Sequence, residues 1–342
     1  MRTVDIAVVG ATGAVGQVFL KLLEERKFPA RTIRLLASAR SKGKKLAVNG
    51  RELIVDEATD DSFDGVDLAF ISASSAVSRK FVPVAKAAGA VTIDDSSAFR
   101  MDPDTALVVP EVNGDDLETH KGVVAIPNCS TTPLVMVLEP LRRLSRVKRV
   151  IADTYQSVSG TGAAAVQELR DQAHIVLNGG KVQPRVYPKQ IAFNLFPHIE
   201  GFMDNGYTKE EWKLLDESRK ILHDTTIAVS GTCVRVPVSI CHSEAVHIEF
   251  ERPISPEEAR EALGAFPGVK VLDDPASNGY PTPWDVEGTD DVYVGRIRRD
   301  ASHPNGLVMW IVVDNLRKGA ALNAIQIAEE LIRRGKVRTH QA

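Results

Sequence analysis

In the run AIPNCSTTP, residues 125–133, a thiol, Cys129, stands between a strand-like segment and the hydroxyl-rich opening of a helical one. Unpaired N–H groups and the positive end of a helix dipole favour a thiolate there, moving a cysteine from its ordinary value of about 8.5 toward neutrality. Such a thiolate is a nucleophile for an acyl or carbonyl carbon, and the same N–H groups can hold the oxyanion that forms. Asn128, Ser130, Thr131 and Thr132 crowd further polar groups around it. The other two cysteines, Cys233 and Cys241, lie inside apolar runs and read as small buried hydrophobes. Three cysteines at these spacings make neither a disulfide framework nor a zinc site, so no metal centre is expected and a reducing compartment is implied.

A nucleophilic cysteine needs a base. In RVPVSICHSEAVHIEF, residues 235–250, His242 falls between two strand-like runs, with Arg235 seven residues upstream. His247 sits within an alternating strand and reads as structural, whereas His198, in LFPHIEG, competes with His242 for the role.

A second chemical feature opens the chain. After the apolar run DIAVVG comes the turn GATGAVG, with Gly10, Gly13 and Gly16, and then a helical pattern. Glycines between a strand and a helix let the backbone approach a pyrophosphate at the helix N-terminus, although this spacing departs from G-x-G-x-x-G. The next strand ends LLASARSKGKK, where an NAD site would carry an acid for the ribose 2′-hydroxyl. Ser38, Arg40 and Ser41, with Lys42 nearby, offer hydroxyls and a guanidinium suited to a 2′-phosphate instead.

The elements that must position these groups follow from periodicity. Strand-like runs TIRLLA, DLAFIS, AVTID and GVVAIP alternate with helical ones, which predicts a doubly wound, mostly parallel sheet of Rossmann type. KLAVNGRELIV, with Asn49-Gly50 between apolar runs, predicts an inserted hairpin. Beyond the helix NCSTTPLVMVLEPLRRLS the chain turns strand-rich: 149–158, 227–238, 244–251, 292–299 and 306–314 predict a mixed or antiparallel sheet, with helices over 161–178, 208–223 and 255–266. The last of these opens on Ser255 as cap and Pro256 at the first position. The final amphipathic helix is expected to return to the first domain. The fold class is therefore α/β: an N-terminal Rossmann-like dinucleotide-binding domain, residues 1–128 and 316–342, plus an α+β catalytic and dimerisation domain with a mixed sheet, residues 129–315.

With 342 residues, 44% hydrophobic and 25% charged, the chain is long enough for two cores. A net charge of −3 with dispersed Lys and Arg leaves no electrostatic footprint for nucleic acid. No signal-peptide pattern or run of about 18 apolar residues occurs, so a cytoplasmic protein without a membrane partner is expected.

Taken in order along the chain, GATGAVG, LLASARS, SSAFRM, PNCSTTP, YQSVSGTGAAAVQEL, RVPVSICHSE and DNLRKGAALNAIQIAE resemble the aspartate-semialdehyde dehydrogenase family. The resemblance runs from the first strand to the last helix. It implies NADPH-dependent reductive dephosphorylation of 4-aspartyl phosphate to aspartate 4-semialdehyde through a cysteine thioester, on the branch toward lysine (through diaminopimelate), methionine, threonine and isoleucine, by a homodimer or homotetramer. Carried onto this chain, it makes Cys129 the nucleophile, His242 the acid/base and Gln156 a substrate-positioning group. Arg235 becomes the partner of the substrate α-carboxylate, Glu217 that of its amino group, and Arg100, Asn128 and Lys220 the phosphate set. For NADP it implies Gly10, Thr12, Gly13, Ala14 and Val15 at the turn, Ser38, Arg40 and Ser41 at the 2′-phosphate, and Gly160 and Asn315 at the nicotinamide. Cys241 departs from the pattern, which leads one to expect a smaller residue before the histidine. An N-acetylglutamyl-phosphate or glyceraldehyde-3-phosphate type of dehydrogenase would share the chemistry, but only the aspartyl substrate needs both Glu217 and Arg235. A redox sensor using Cys129 would need neither arginines nor a base.

Overall fold

The computed structural model describes residues 3–337. They divide into one unit made of the chain up to Pro127 and from Ala320 onward, and a second running from Asn128 to Gly319.

The first unit is built on an eight-stranded sheet in the order Lys45–Val48, Arg51–Glu57, Ala30–Ala37, Val4–Val9, Leu68–Ile71, Val91–Asp94, Val123–Ala125, Ala106–Leu107. All pairs are parallel except the first, which is the hairpin expected from Asn49-Gly50. Asn49 and Gly50 have φ of 52° and 68°, the left-handed pair that a tight hairpin turn requires. Because successive side chains of a strand point to opposite faces, Val4, Ile6 and Val8 join one apolar core and Ala7 and Val9 another. Helices cover both faces, which is why these strands read as continuous apolar runs. The final helix, Leu322–Arg333, places Ile325, Ala328 and Leu331 in the same core as Leu20 and Leu23 of helix Ala14–Glu25. Val4–Val9 lies between Ala30–Ala37 and Leu68–Ile71, so the chain winds away from it in both directions. The crevice at its C-terminal end is where such sheets bind ligands.

The second unit holds a mixed seven-stranded sheet, Ala228–Ser230, Val147–Gln156, His242–Phe250, Gly306–Val313, Val292–Arg299 and Val269–Val271, with Cys233–Arg235 also pairing with Val147–Gln156. Two expectations need correction. The segment 227–238 forms two short strands, because at Gly231 the chain runs so close to its neighbour that a Cβ there would lie 1.9 Å from the Ala152 carbonyl oxygen. The helix expected over 161–178 is a 3₁₀ turn, Val158–Thr161, followed by helix Ala163–Leu177, since Gly162 between them takes φ 107°. Helix Lys209–Ile221 is closed by a capping box between Thr208 and Glu211, and Pro256–Gly264 by one between Ser255 and Glu258. Among the described residues no helix is long and apolar enough to cross a membrane, and no group of His, Cys, Asp and Glu is placed to hold a metal ion.

Candidate active site

Cys129 stands at the mouth of helix Thr131–Leu144. The Thr132 N–H donates to the Asn128 carbonyl at 3.0 Å, a helical bond that carries the turn back past the cysteine. Asn128 caps this turn, its Oδ1 accepting from the Ser130 N–H at 2.9 Å. Cys129 is half-buried, while Asn128, Ser130, Thr131 and Thr132 are buried. Gly319 packs its backbone on the thiol-bearing residue, where a Cβ would come within 3.1 Å of the Cys129 Cβ.

Sequence reasoning missed the group that ties this turn to the sheet. Glu210, on helix Lys209–Ile221, is 4% exposed, and its Oε1 accepts from Asn128 Nδ2 at 3.0 Å and from Gln156 Nε2 at 3.1 Å. Its Oε2 pairs with Lys213 at 3.0 Å, and Lys213 reaches Glu200 at 2.6 Å. Burial pushes this carboxyl up, but the Lys213 ammonium and the two amide donors outweigh it and hold the group at about 2, ionised at any neutral pH. A carboxylate only accepts, so the Gln156 amide must turn its NH₂ to Glu210 and Thr154 and present its carbonyl oxygen elsewhere. Two turns further along the helix, Glu217 is buried and accepts the Asn128 backbone N–H at 2.7 Å. Lys220 follows at i+3, on the same side of the helix.

His242 begins the strand His242–Phe250 and is fully buried. Its Nδ1 receives the backbone N–H of Ser157 at 3.1 Å, which makes Nε2 the protonated nitrogen of the neutral ring. Nε2 has no hydrogen-bond partner among the described residues. Burial, then the nearby Arg235 guanidinium, push the imidazole down to about 3 against the weaker opposing pull of Glu210, so the ring is neutral at rest. Arg235 is itself buried and donates from Nη1 to the Ser157 carbonyl at 2.6 Å. Gly160 lies against both: a Cβ there would meet Arg235 Nη1 at 3.0 Å and His242 Nε2 at 3.2 Å.

Cys241 takes φ 73°, in the left-handed region that disfavours a side chain, which is the physical reason to expect a smaller residue before the histidine. Its N–H is held by Asn315 Oδ1 at 3.0 Å. The thiols of Cys241 and Cys233 are buried and pushed well up from the ordinary cysteine value, first by desolvation and then by neighbouring carboxylates. His247 is half-exposed and paired with Asp300 at 2.9 Å, and His198 stacks on Phe202; neither is part of the Ser157–His242 cluster.

In the first unit the glycine turn is closed by geometry that side chains would block. Gly10 has φ 86° and a Cβ there would lie 2.0 Å from the Ser72 carbonyl oxygen; one at Gly16 would lie 2.3 Å from the Gly10 carbonyl oxygen. Gly13 caps helix Ala14–Glu25, whose first residues are Ala14 and Val15. Thr12 donates to Ser41 at 3.4 Å, which joins this turn to the loop ending the next parallel strand. There Ser38 caps the short 3₁₀ turn Ala39–Ser41, with Arg40 exposed and Ser41 buried. A tight glycine cradle at a helix N-terminus fits the pyrophosphate of a dinucleotide. Arg100 is buried in the same unit and donates to the Asp95 carbonyl at 2.9 Å.

Comparison with known proteins joins these observations. A family model described as the semialdehyde dehydrogenase NAD binding domain matches residues 5–120, and one described as the semialdehyde dehydrogenase dimerisation domain matches 138–318. The chain is 51% identical to the aspartate-semialdehyde dehydrogenase of Aquifex aeolicus over 97% of its own length and 99% of that protein's. It is 49% identical to that of Bacillus subtilis, over 96% and 98%. Aspartate semialdehyde dehydrogenase II of Vibrio cholerae, whose crystal structure is complexed with ASA, superposes with a TM-score of 0.93 at 43% identity over 97% of this chain and 99% of that one. The Candida albicans enzyme crystallised with NADP gives a TM-score of 0.77 at 26% identity over 98% and 99%. With both domain models matched in order and half of all positions shared along the full chain, the protein belongs to the aspartate-semialdehyde dehydrogenase family.

Proposed function

We propose that this chain reduces 4-aspartyl phosphate to aspartate 4-semialdehyde with NADPH, through a thioester on Cys129. The observation that carries the reading is the buried polar network of the second unit, in which the residue before Cys129 and Gln156 share one ionised carboxylate while a neutral His242 keeps Nε2 unpartnered. The Cys129 sulfur attacks the acyl carbon, an S–C bond forms, the C–O bond to phosphate breaks, and phosphate leaves. N–H groups of the Asn128-capped turn suit the oxyanion of that step. A bound nicotinamide supplies the hydride that takes the thioester to the aldehyde level. The thiohemiacetal then collapses with loss of the C–S bond, and His242 moves the proton that this exchange of thiolate and alkoxide requires.

Arg235 suits the α-carboxylate and Glu217 the amino group, while Arg100, Lys220 and the remaining Nδ2 hydrogen of Asn128 suit phosphate. Ser38, Arg40 and Ser41 read the 2′-phosphate, with Gly160 and Asn315 at the nicotinamide end. The product would feed the routes to lysine, methionine, threonine and isoleucine. The match to a dimerisation-domain model supports a homo-oligomer, dimer or tetramer, and three free cysteines support a reducing compartment such as the cytoplasm. Steady-state assay with aspartate semialdehyde, phosphate and NADP, combined with limiting iodoacetamide and peptide mapping, tests the reading. Turnover that vanishes in step with alkylation of Cys129 supports it. First modification of Cys233 or Cys241, with Cys129 left free, overturns it.

A further inference from the structure

Glu168 is a buried carboxylate of the second unit with no part in the proposed reaction. It stands on helix Ala163–Leu177 and accepts the backbone N–H groups of Arg185 at 2.8 Å, Val186 at 2.6 Å and Tyr187 at 3.3 Å, together with Gln172 Nε2 at 3.0 Å. Gln172 is buried too, and its Oε1 accepts the N–H groups of Ile191 at 2.8 Å and Ala192 at 3.2 Å. Residues 181–195 form neither helix nor strand, so these two side chains supply acceptors that regular structure would otherwise give. Val158, two residues before Gly160, shares a small apolar core with Ile191 and Phe196, and Tyr187 packs against it.

Two contacts join this segment to the groups around Arg235. The hydroxyl of half-buried Tyr187 lies 2.8 Å from that of Thr161, the residue after Gly160 in the turn Val158–Thr161. The Tyr187 ring packs on Phe196 with centroids 5.6 Å apart, and Phe196 exchanges both backbone hydrogen bonds with Arg235, at 3.0 Å and 2.9 Å. Arg235 Nη1 in turn donates to the Ser157 carbonyl at 2.6 Å, and the chain from Ser157 runs directly into the turn that ends at Thr161. The contacts close a ring through Tyr187, Thr161, Ser157, Arg235 and Phe196. Phe196 holds the arginine by its backbone, Ser157 holds it by its tip, and the Tyr187 phenol ties these two supports to each other. The near end of the turn is fixed on the Val238 and Ser239 carbonyls by the Val158 and Ser159 N–H groups, at 2.9 Å and 3.1 Å; at the far end the tie is Thr161 to Tyr187.

We infer that Tyr187 is a positioning residue that sets the Arg235 guanidinium for the α-carboxylate of the substrate. The inference rests on the carboxylate role proposed for Arg235. A guanidinium reads a carboxylate through two parallel N–H bonds in one plane, so a small rotation loses one of them. With Nη1 anchored on Ser157, the direction in which the rest of the fork faces follows from where the Val158–Thr161 turn lies relative to Phe196, and Tyr187 is the side chain that touches both. Phenylalanine at 187 keeps the ring on Phe196 and removes the tie to Thr161. Affinity for the carboxylate then falls with the fraction of molecules whose turn is out of place, by no more than the worth of the lost bond.

The test is steady-state kinetics of the full chain in the phosphorylating direction, with KM measured separately for aspartate semialdehyde, phosphate and NADP. Tyr187→Phe is expected to raise the KM for the semialdehyde about 3- to 10-fold, with kcat and the other two KM values within about 2-fold of wild type. Thr161→Val, which removes the other hydroxyl, should repeat the effect, and Thr161→Ser, which keeps it, should restore wild-type behaviour. In an Arg235→Leu background Tyr187→Phe should add nothing, a non-additivity that a general loosening of the fold does not produce. The role of Tyr187 is overturned, and the carboxylate reading of Arg235 left intact, by equal rises in all three KM values, by a rise for NADP alone, by effects that add to those of Arg235→Leu, or by an unchanged Tyr187→Phe where Arg235→Leu does raise the semialdehyde KM. If Arg235→Leu leaves that KM unchanged, the carboxylate reading falls, and this inference falls with it.

Discussion

Replacing Gly160 by alanine adds a single carbon to a residue whose backbone can take it. Gly160 is exposed, lies in a 3₁₀ turn and does not use the left-handed conformation, so neither strain nor lost burial is expected. The new Cβ nevertheless arrives 3.0 Å from Arg235 Nη1, 3.2 Å from His242 Nε2 and 3.3 Å from His242 Cε1, each inside ordinary contact at 3.4 Å or more. Both side chains must give by a few tenths of an ångström, and neither is free to do so alone. Arg235 Nη1 is anchored on the Ser157 carbonyl at 2.6 Å and His242 Nδ1 on the Ser157 N–H at 3.1 Å, so a shift of one pulls the peptide that holds the other. Misplacement of a reacting group by about 1 Å costs on the order of 10² in rate, so a smaller, coupled displacement of the proposed base and the proposed carboxylate clamp is expected to lower kcat/KM for aspartate semialdehyde by about 10- to 100-fold. Melting temperature should stay within about 3 °C of wild type. Steady-state kinetics in the phosphorylating direction, run beside a thermal melt, checks both halves. Unchanged kcat and KM at unchanged stability would refute the close packing of Gly160 on this pair, and a rise confined to the KM for NADP would place the added carbon against the cofactor instead.

Glu210→Gln should be less stable than wild type at neutral pH by about 1.5–3 kcal/mol, because charge-assisted bonds to Lys213, Asn128 and Gln156 become neutral ones. Since the folded-state value of Glu210 lies at about 2, below its ordinary 4.5, its contribution is present above pH 4.5 and is lost as pH falls toward 2; denaturant midpoints across that range should converge for variant and wild type, and a constant gap would disprove the coupling. Gly10→Ala meets both a left-handed backbone and a carbonyl oxygen at 2.0 Å, so a loss of more than about 3 kcal/mol in the first unit is expected, and a thermal melt within 2–3 °C of wild type would contradict the turn geometry. Arg40→Ala should weaken NADP by about 10- to 150-fold and NAD hardly at all; equal losses on titration of both cofactors at one ionic strength would mean that this exposed loop does not read the 2′-phosphate.

What the sequence made legible was whatever depends on near neighbours in the chain. The glycine turn, the Asn49-Gly50 hairpin and the Ser255 cap with Pro256 at the first helical position are set by residues within a few positions of one another, and all three stand where periodicity and turn chemistry put them. The strand expected over 227–238 failed for the opposite reason: Gly231 is a break only because Ala152, nearly eighty positions away, comes so close. Glu210 was hidden by its neighbour. In YTKEEW the pair Thr208 and Glu211 accounts for the helix start, and nothing local says that the acid between them turns inward to Asn128 and Gln156. Ser157 was likewise one hydroxyl among several in YQSVSG until the fold set it against His242.

Glu210 and His242, two of the buried titratable groups of the second unit, are pushed to different charge states, and that difference supports the work proposed for each. Glu210 is anchored as an anion by Lys213 and two amides, so at neutral pH it neither gives nor takes a proton; it can only orient the groups that bind it. A buried ion pair of this kind is seldom justified by stability, since well-packed apolar residues of similar volume often do as well. Its retention is explained by what Oε1 fixes: the amide of Gln156 and the cap of the Cys129 turn, two groups on different elements aimed by one oxygen. His242, by contrast, is held neutral by burial and by Arg235, with Nε2 unpartnered among the described residues and Nδ1 accepting the Ser157 N–H. Of the two, only the neutral imidazole has a proton to move at neutral pH, which supports the acid/base role proposed for it and the orienting role proposed for the carboxylate.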